Sequence, residues 1–328
     1  MNYRVLGKTG MKVSEISLGT WQVGGGWGGS FDQNKAREIL NNAIDQGINF
    51  IDTADVYDMG KSEAAVGEIL KERSEKIFVA TKCGRQIDPH VNEGYTPQVL
   101  RKYVEDSLKN MGLETLDLIQ LHCPPTSVYQ RDEIFELFDR LKEEGKVRNL
   151  GVSVEKVEEA MMAVKYPNVC TVQVIFNMFR QKPMEEFFPI AKENNVGVIV
   201  RVPLASGMLS GKMSASREFD PGDHRNFNRE GQAFDKGETF SGVNFEKGLE
   251  AVEALKEIFK GETSLALWAL RWILMFDEVS TVIPGASRAA QVSENAKASQ
   301  LPEIPLEKME AVKDVYEKYI KADVHHLW

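Results

Sequence analysis

The sequence predicts an α/β fold in which eight parallel strands, each followed by helical sequence, close into a (β/α)8 TIM barrel. Most of the predicted strands are continuous apolar runs rather than alternating ones, which is typical of strands buried on both faces. Glycine- or asparagine-containing turns separate helices from the strands that follow, and no change in composition indicates a linker. An open, doubly wound sheet is the alternative that this pattern leaves open.

The strand and helix units follow one another along the whole chain. The predicted strands are Ile16–Thr20, Asn49–Ala54, Ile77–Lys82, Leu116–His122, Asn149–Ser153, Val172–Asn177, Gly197–Pro203 and Ser280–Gly285. The predicted helices are Gln33–Gln46, Ser62–Glu72, Pro97–Asn110, Arg131–Glu144, Glu155–Val164, Met184–Asn194, Phe245–Phe259, Ser264–Phe276, Arg288–Ser299 and Leu306–Ile320.

Three segments flank or interrupt these units. Residues 1–15 alternate weakly around Thr9-Gly10, which predicts an N-terminal β-hairpin. Residues 204–244 have little periodicity and follow the seventh strand on the face where barrels bind ligands, so we expect a lid. Residues 300–328 are expected to form a C-terminal helix and tail, and residues 1–328 together a single barrel domain.

Composition excludes several classes of protein. The chain has 328 residues and a formal net charge of −9, with no run of Lys or Arg, which argues against a nucleic-acid surface. Cys83, Cys123 and Cys170 have no CxxC spacing, so we expect a reducing compartment and no structural zinc. The longest apolar run, Ser264–Phe276, is interrupted by Arg271 and is too short to span a bilayer. With no apolar signal segment after Met1, these features predict a cytoplasmic protein that does not bind membranes.

A glycine-rich segment imitates a dinucleotide-binding fingerprint. Residues 24–29 contain a GxGxxG match, and Asp52 follows at about the expected distance. In the true motif, however, the glycines open the helix, whereas here Asp32 stands between them and the helix as the predicted N-cap. We therefore interpret the segment as a flexible loop that carries Trp21 and Trp27 over the ligand-binding face.

Polar side chains that could do acid/base chemistry stand at the ends of three neighbouring strands. Asp52, Lys82 and His122 end the second, third and fourth strands, and Tyr57 follows the second. A buried lysine needs a counter-charge, which Asp52 can supply. We expect the lysine ammonium to lower the pKa of the Tyr57 phenol, and His122 to hydrogen-bond an oxygen held beside it.

These residues and several further motifs resemble the aldo-keto reductases, NAD(P)H-dependent (β/α)8 barrels, over roughly residues 3 to 300. The tetrad Asp–Tyr–Lys–His of that family matches Asp52, Tyr57, Lys82 and His122. Further matches are Leu18-Gly19-Thr20-Trp21, Gly151-Val152-Ser153, Gln173 with Asn177, Pro203-Leu204-Ala205-Ser206-Gly207-Met208-Leu209-Ser210-Gly211-Lys212, Ile283-Pro284-Gly285-Ala286-Ser287-Arg288, Gln291, and Glu294-Asn295.

The resemblance implies a role for each matching residue. Tyr57 would be the general acid, Lys82 and Asp52 its tuning pair, and His122 a partner of the carbonyl oxygen. Ser153 and Gln173 would contact the nicotinamide carboxamide, Leu204, Ser206 and Lys212 the pyrophosphate from a loop covering the cofactor, and the residues from Gly285 to Asn295 the adenosine end. The cofactor-binding set is Thr20, Trp21, Asp52, Ser153, Gln173, Arg201, Pro203, Leu204, Ser206, Lys212, Gly285, Ser287, Arg288, Gln291, Glu294 and Asn295. The substrate set is Trp21, Trp27, Tyr57 and His122.

The implied function is reduction of an aldehyde or ketone to an alcohol by hydride transfer from a nicotinamide cofactor, with no metal. NADP(H) is favoured because the Arg288 guanidinium suits a 2′-phosphate. The expected partner is a small carbonyl or alcohol substrate, and the sequence leaves the oligomeric state open.

Two departures from the family pattern matter. Val154 follows Ser153 where many relatives have Asn, so one polar contact is expected to be absent. Arg201 stands where relatives often place an aromatic residue against the nicotinamide. Its guanidinium could stack on that ring or form a salt bridge with the lid, and both interpretations remain open.

Two other functions are alternatives to carbonyl reduction. A cofactor-sensing regulatory subunit, similar to the potassium-channel β subunits of the same superfamily, is the alternative; His122 argues against it because those relatives have Asn at the matching position. A metal-dependent barrel hydrolase is disfavoured because the chain has five histidines, of which two, His325 and His326, lie in the tail.

Overall fold

The structure is a computed structural model that describes residues 1–25 and 30–328. Within these residues eight parallel strands form the predicted barrel, and two short antiparallel strands precede it. In chain order, β1 to β10 are Tyr3–Val5, Lys12–Ser14, Leu18–Gly19, Phe50–Asp52, Phe78–Cys83, Leu118–His122, Leu150–Ser153, Val169–Ile175, Gly197–Arg201 and Val279–Val282. Strands β3 to β10 lie in sequence order around the sheet without reversal, which excludes the doubly wound alternative.

The barrel closes through residues that stand beside β3 and β10. The amide of Ser17 donates to the carbonyl of Val282 (2.8 Å), the amide of Val282 to Glu15 (2.9 Å), and the amide of Gly19 to Pro284 (3.2 Å). The first predicted strand is therefore shared, since its early residues contact the last strand and only Leu18–Gly19 forms regular strand against β4.

The predicted N-terminal hairpin is confirmed, and it fills one end of the barrel. Strand β1 pairs with β2, and Gly10 adopts a left-handed conformation (φ 67°) in the turn between them. Leu6, Met11 and Val13 are buried against Phe50, Ala80, Leu118 and Ile199 of the barrel strands and against Ile283, which follows β10. Since Phe50 and Leu118 are the first residues of their strands, the hairpin covers the amino-terminal end and leaves the other end to ligands.

Helices surround the barrel much as predicted. In the described part of the chain, α1 to α13 are Gln33–Asp45, Lys61–Glu72, Pro97–Met111, Asp132–Glu143, Val157–Ala163, Lys182–Glu186, Phe188–Glu193, His224–Phe227, Phe245–Ile258, Leu265–Leu274, Ala289–Ala296, Leu306–Tyr319 and Lys321–Val324. Among the described helices, none is both long and apolar enough to cross a membrane.

Several helix ends differ from the prediction by one to three residues, and two of the differences have structural consequences. Helix α5 begins at Val157 rather than Glu155, which leaves Glu155 in the loop at the end of β7. The predicted helix Met184–Asn194 is divided into α6 and α7 at Phe187. Pro189 lies in the first turn of α7, where its missing N–H leaves no hydrogen bond unmade.

The long segment after β9 is built from short turns. Besides α8 it contains three 3-10 helices, Ala205–Ser210, Lys236–Glu238 and Phe240–Gly242. We refer to residues 204–244 as the covering loop. Its position at the carboxyl end of β9 agrees with the expected lid, and its action on a cofactor stays a prediction.

Side chains alternate along the strands, so the last inward-facing residue of each strand reaches the same rim. Asp52, His122, Ser153 and Arg201 are the last residues of β4, β6, β7 and β9, and Lys82 is the last but one of β5. This rim at the carboxyl ends of the strands is the barrel mouth.

Candidate active site

A buried ion pair lies at the centre of the barrel mouth. The Nζ atom of Lys82 is 2.5 Å from Oδ2 of Asp52 and 2.8 Å from the carbonyl oxygen of Thr53. Both charged side chains are almost inaccessible to water. Burial alone would lower the pKa of Lys82, but the Asp52 carboxylate and the neighbouring Tyr57 outweigh it and raise that pKa above its ordinary value. The ammonium is therefore charged at neutral pH.

Two glutamines complete the shell around Asp52. The Nε2 atoms of Gln120 and Gln173 donate to its Oδ1 at 2.9 and 2.8 Å, and Gln173 also donates to Oε1 of Gln120 at 3.1 Å. Gln120 was absent from the sequence prediction, although it stands two residues before His122 and therefore points the same way. Because the amide of Gln173 is engaged by Asp52 here, its contact with nicotinamide stays a prediction.

Tyr57 places its phenol beside the ammonium. Its Oη lies 3.4 Å from Nζ of Lys82, and the same nitrogen is 5.0 Å from the ring centre. The following turn brings the chain back through left-handed conformations at Asp58 (φ 48°), Met59 (φ 56°) and Gly60 (φ 82°). Lys82 acts to lower the pKa of the phenol, as expected, but the prediction of a lowered pKa is wrong because the net shift is upward. Burial raises the pKa of Tyr57 above its ordinary value, and Lys82 offsets only part of that effect.

His122 faces Tyr57 edge to face. The two ring centres are 6.0 Å apart at an interplanar angle of 83°. Burial, followed by the positive charges of Arg85, Lys82 and Arg201, holds the pKa of His122 well below its usual range, so the imidazole is neutral. Its Nδ1 is buried and has no hydrogen-bond partner among the described residues.

Arg201 forms a salt bridge with the covering loop and with the loop after β7. Its guanidinium contacts Oε2 of Glu155 (2.9 Å), Oε1 of Glu238 (3.6 Å) and the carbonyl oxygen of Val154 (3.0 Å). The carbonyl oxygen of Val154 thus makes a polar contact with Arg201, at the position where the family pattern has an Asn side chain. The lid salt bridge is present, and stacking of Arg201 on a nicotinamide ring stays a prediction.

A second arginine joins this group. Arg85 pairs with Oε1 of Glu238 at 2.8 Å and lies 3.8 Å from Oε1 of Glu155. Burial, opposed by Arg201 and reinforced by Glu238, raises the pKa of Glu155 to about 8. Burial also acts to raise the pKa of Glu238, but Arg85 and Arg201 prevail and lower it to about 2. We call Arg85, Glu155, Arg201 and Glu238 the mouth cluster.

Part of the mouth cluster has the spacing of metal ligands. Ligand atoms of Cys123, Glu155 and Glu238 lie within 4.8 Å of one another. Both carboxyl groups, however, lie against the guanidinium groups of Arg85 and Arg201. The raised pKa of Glu155 keeps that carboxyl largely protonated at neutral pH, and the two guanidinium groups already balance the charge of Glu238, so this set is a poor metal site.

The structure distributes the predicted cofactor residues over two regions. Ser153 lies at the mouth, where its Oγ is 3.4 Å from Sγ of Cys123, and Thr20 donates to the carbonyl of Asp52 (3.1 Å). Ser206 donates to the carbonyl of Glu238 (3.1 Å) inside the covering loop. Half-buried Trp21 meets His224 of the covering loop edge to face, with ring centres 5.0 Å apart. The predicted substrate residue Trp27 lies outside the described residues.

The other region is a cleft of about 530 Å³ between the first turns of α1 and the start of α11. Ser287 and Arg288 line one wall, and the side-chain Oε1 of Gln291 accepts from the amide of Ser287 at 2.7 Å. The opposite wall, from α1, contributes Lys35 together with acidic residues, namely Asp32 and Glu38. Asp32 is the N-cap of α1, as predicted, since its carboxylate accepts from the amide of Lys35. Of the remaining predicted contacts, Lys212 is exposed and Glu294 pairs with Lys297.

A buried acid, Asp55, lies between β4 and Tyr57. Asp55 is 3% exposed, and neither carboxylate oxygen has a hydrogen-bond partner of normal geometry among the described residues. Contacts with Gln86 and the backbone of Val56 act to lower the pKa of this carboxyl. Burial, reinforced by the charge of Glu63, raises the pKa of Asp55 to about 7. The folded protein therefore holds this proton more tightly than the unfolded chain.

This shift predicts a pH dependence of stability. Because the pKa of Asp55 is higher in the folded state, its contribution is complete below about pH 4 and is lost as pH rises through about 7. The wild type is expected to lose about 3 kcal/mol in free energy of unfolding between pH 5 and pH 8 through Asp55. Asp55→Asn has no such titration, so its free energy of unfolding should rise by that amount relative to the wild type over the same range. Urea denaturation at pH 5 and pH 8 measures the free energy of unfolding of both proteins. Asp139→Asn, which changes an exposed carboxyl, is the control, and an equal response of both variants to pH would contradict the assignment.

Comparison with known proteins agrees with this geometry. The family model described as "Aldo/keto reductase family" matches residues 15–317. The relative "Uncharacterized oxidoreductase YqkF" of Bacillus subtilis (strain 168) is 30% identical over 328 residues, which cover 99% of this chain and 98% of the relative. The "NADH-specific methylglyoxal reductase" of Escherichia coli (strain K12) is 28% identical and covers 89% of this chain and 92% of its own.

A solved structure agrees as well. The glycerol dehydrogenase AKR11B4 from Gluconobacter oxydans is 30% identical, with a TM-score of 0.79 and coverage of 97% of this chain and 96% of that one. The family model spans nearly the whole barrel, and the similarity to the relatives extends over most of both chains. The chain therefore belongs to the aldo/keto reductase family of oxidoreductases, which bind a nicotinamide cofactor and act on small molecules.

Proposed function

We propose that this chain reduces aldehydes or ketones to alcohols with NADPH, and that Tyr57 is the general acid. The observation that carries the proposal is the contact of the Tyr57 phenol with the ammonium of Lys82, at 3.4 Å, in the buried shell of Asp52. A raised pKa keeps the phenol protonated at neutral pH, which is the form that a reduction needs. Once the proton has left, the ammonium stabilises the phenolate that forms.

His122 supports the same oxygen. It is neutral and faces Tyr57, so a ring N–H can donate to a carbonyl oxygen without competing for the proton. The space between the phenol and the imidazole is where the substrate oxygen would lie. Together the two donors orient the carbonyl and stabilise the negative charge that develops on it.

The described residues fit a nicotinamide cofactor. Ser153 and Arg201 at the mouth would hold the ring end, and the cleft at Ser287 and Arg288 has room for the adenosine end. When bound, the reduced nicotinamide supplies the hydride. NADPH is favoured because Arg288 and Lys35 face the same cleft as two cations, although Asp32 and Glu38 in that cleft oppose a 2′-phosphate.

We also infer a cytoplasmic location. Cys83, Cys123 and Cys170 are all buried and unpaired in the structure, which suits a reducing compartment.

A regulatory subunit that binds the cofactor with little turnover is the alternative. His122 supports catalysis instead, because its neutral imidazole completes the group around the substrate oxygen. The two functions predict the same cofactor affinity but different turnover, so they can be separated by one kinetic experiment.

Replacement of the phenol tests the acid. Tyr57→Phe is expected to lower kcat for NADPH-dependent reduction of an aldehyde panel about 100-fold or more, because general acid catalysis of this kind contributes about 10² to 10⁴. The NADPH dissociation constant should change less than about threefold. Tyr3→Phe, at a phenol that bonds the carbonyl of Gly47 far from the mouth, is the matched control. Undiminished turnover in Tyr57→Phe would contradict the mechanism, and negligible wild-type turnover across the panel would favour the regulatory alternative.

The cofactor preference depends on the cleft. Arg288→Ala should weaken NADPH binding about tenfold or more, because a charge-assisted hydrogen bond is worth about 1.5–3 kcal/mol, and should leave NADH binding nearly unchanged. Quenching of protein fluorescence by each cofactor measures both constants. Arg148→Ala, at an exposed arginine paired with Asp117, controls for loss of surface charge. If Arg288→Ala weakened the binding of NADPH and NADH equally, Arg288 would not bind the 2′-phosphate.

A further inference from the structure

Trp328 is buried against the covering loop. Its indole Nε1 donates to Oδ1 of Asp235 at 2.9 Å, and the Arg180 guanidinium lies 4.1 Å from the centre of its ring. The indole ring packs directly against two glycines. A Cβ at Gly242 would lie 2.3 Å from the indole Cη2, and one at Gly237 would lie 3.0 Å from Cε2, so a side chain at either position would collide with the ring. This side chain therefore contacts the loop through a hydrogen bond, a cation–π contact and close packing.

The contact with Asp235 leads directly to the barrel mouth. The same Oδ1 accepts from the amide of Gly237 at 2.7 Å and so caps the short helix Lys236–Glu238. The last residue of that helix, Glu238, pairs with Arg85 at 2.8 Å and with Arg201 at 3.6 Å. Trp328 thus supports the turn that presents one carboxylate of the mouth cluster.

A second path from Trp328 reaches the same cluster. Arg180, which packs on the indole, donates through Nη2 to the carbonyl of Glu155 at 2.7 Å. The carboxylate of Glu155 in turn pairs with Arg201 at 2.9 Å. The contacts form a closed circuit from Trp328 through Asp235 and Glu238 to Arg201, and back through Glu155 and Arg180.

We propose that Trp328 is a positioning residue for the covering loop: it holds the Lys236–Glu238 turn so that Glu238 stays paired with Arg85 and Arg201, and thereby slows departure of the cofactor. The inference rests on the proposed function, in which residues 204–244 cover the cofactor. Ser206, a predicted pyrophosphate contact, donates to the carbonyl of Glu238, so displacement of this turn would disturb the cofactor side of the loop as well.

Dissociation of NADPH measures this role. Displacement of prebound NADPH, followed by its fluorescence in a stopped-flow instrument, should be about tenfold faster in Trp328→Ala, because a partly buried hydrogen bond and a cation–π contact are lost together. Trp328→Phe keeps an aromatic ring over Arg180 but has no donor for Asp235, so its rate should be intermediate. Leu327→Ala, at a neighbour that is 43% exposed, should match the wild type.

A double variant separates positioning from general packing. In Glu238→Gln the charged contact is already weakened, so adding Trp328→Ala should accelerate dissociation less than about twofold. The role of Trp328 would be overturned by an unchanged rate in Trp328→Ala, or by the same acceleration in both backgrounds. If Trp328→Ala folds poorly, Trp328→Phe alone and with Glu238→Gln decides in the same way. Failure of the wild type to bind NADPH or NADH would overturn the proposed function itself, and this role with it.

Discussion

The buried ion pair of Lys82 and Asp52 is the constraint on which the rest of the barrel mouth depends. Removing two charges from water costs several kcal/mol per ion unless hydrogen bonds satisfy both partners. Here Lys82 donates to Asp52 and to the carbonyl of Thr53, while Gln120 and Gln173 donate to the other oxygen of Asp52. Satisfying the pair thus uses strands β4, β5, β6 and β8 together, and it fixes the ammonium next to Tyr57.

Electrostatics at the mouth explain the protonation states that a reduction needs. Burial keeps the Tyr57 phenol protonated, and burial together with the surrounding cations keeps His122 neutral. In the proposed mechanism Lys82 acts mainly after proton transfer, when it would stabilise the phenolate. Farther out, Arg85 and Arg201 meet Glu155 and Glu238, so the positive charge at the barrel mouth is partly balanced. The covering loop supplies Glu238, and this links the loop to the chemistry at the strand ends.

The residues of the candidate site could be predicted from the sequence because parallel strands bring their carboxyl ends to one rim. Asp52, Lys82 and His122 each end a recognisable apolar run, which is why their proximity was foreseeable. Gln120 could have been found by the same alternation. Glu238 could not, because nothing in the periodicity of a long loop indicates which residue returns to the mouth. The direction of the Tyr57 pKa shift could not be predicted from the sequence either, since it depends on how far neighbouring elements bury the phenol.

In the proposed mechanism the Lys82–Asp52 pair makes Tyr57 an effective proton donor. Single-turnover hydride transfer, followed by NADPH absorbance after mixing the enzyme–NADPH complex with an aldehyde, tests it most directly in the double variant Lys82→Met with Asp52→Asn. This variant removes both charges and leaves neither buried without a partner. We expect the transfer rate to fall about 100-fold or more, with little change in NADPH affinity. A transfer rate within about threefold of the wild type would contradict this mechanism.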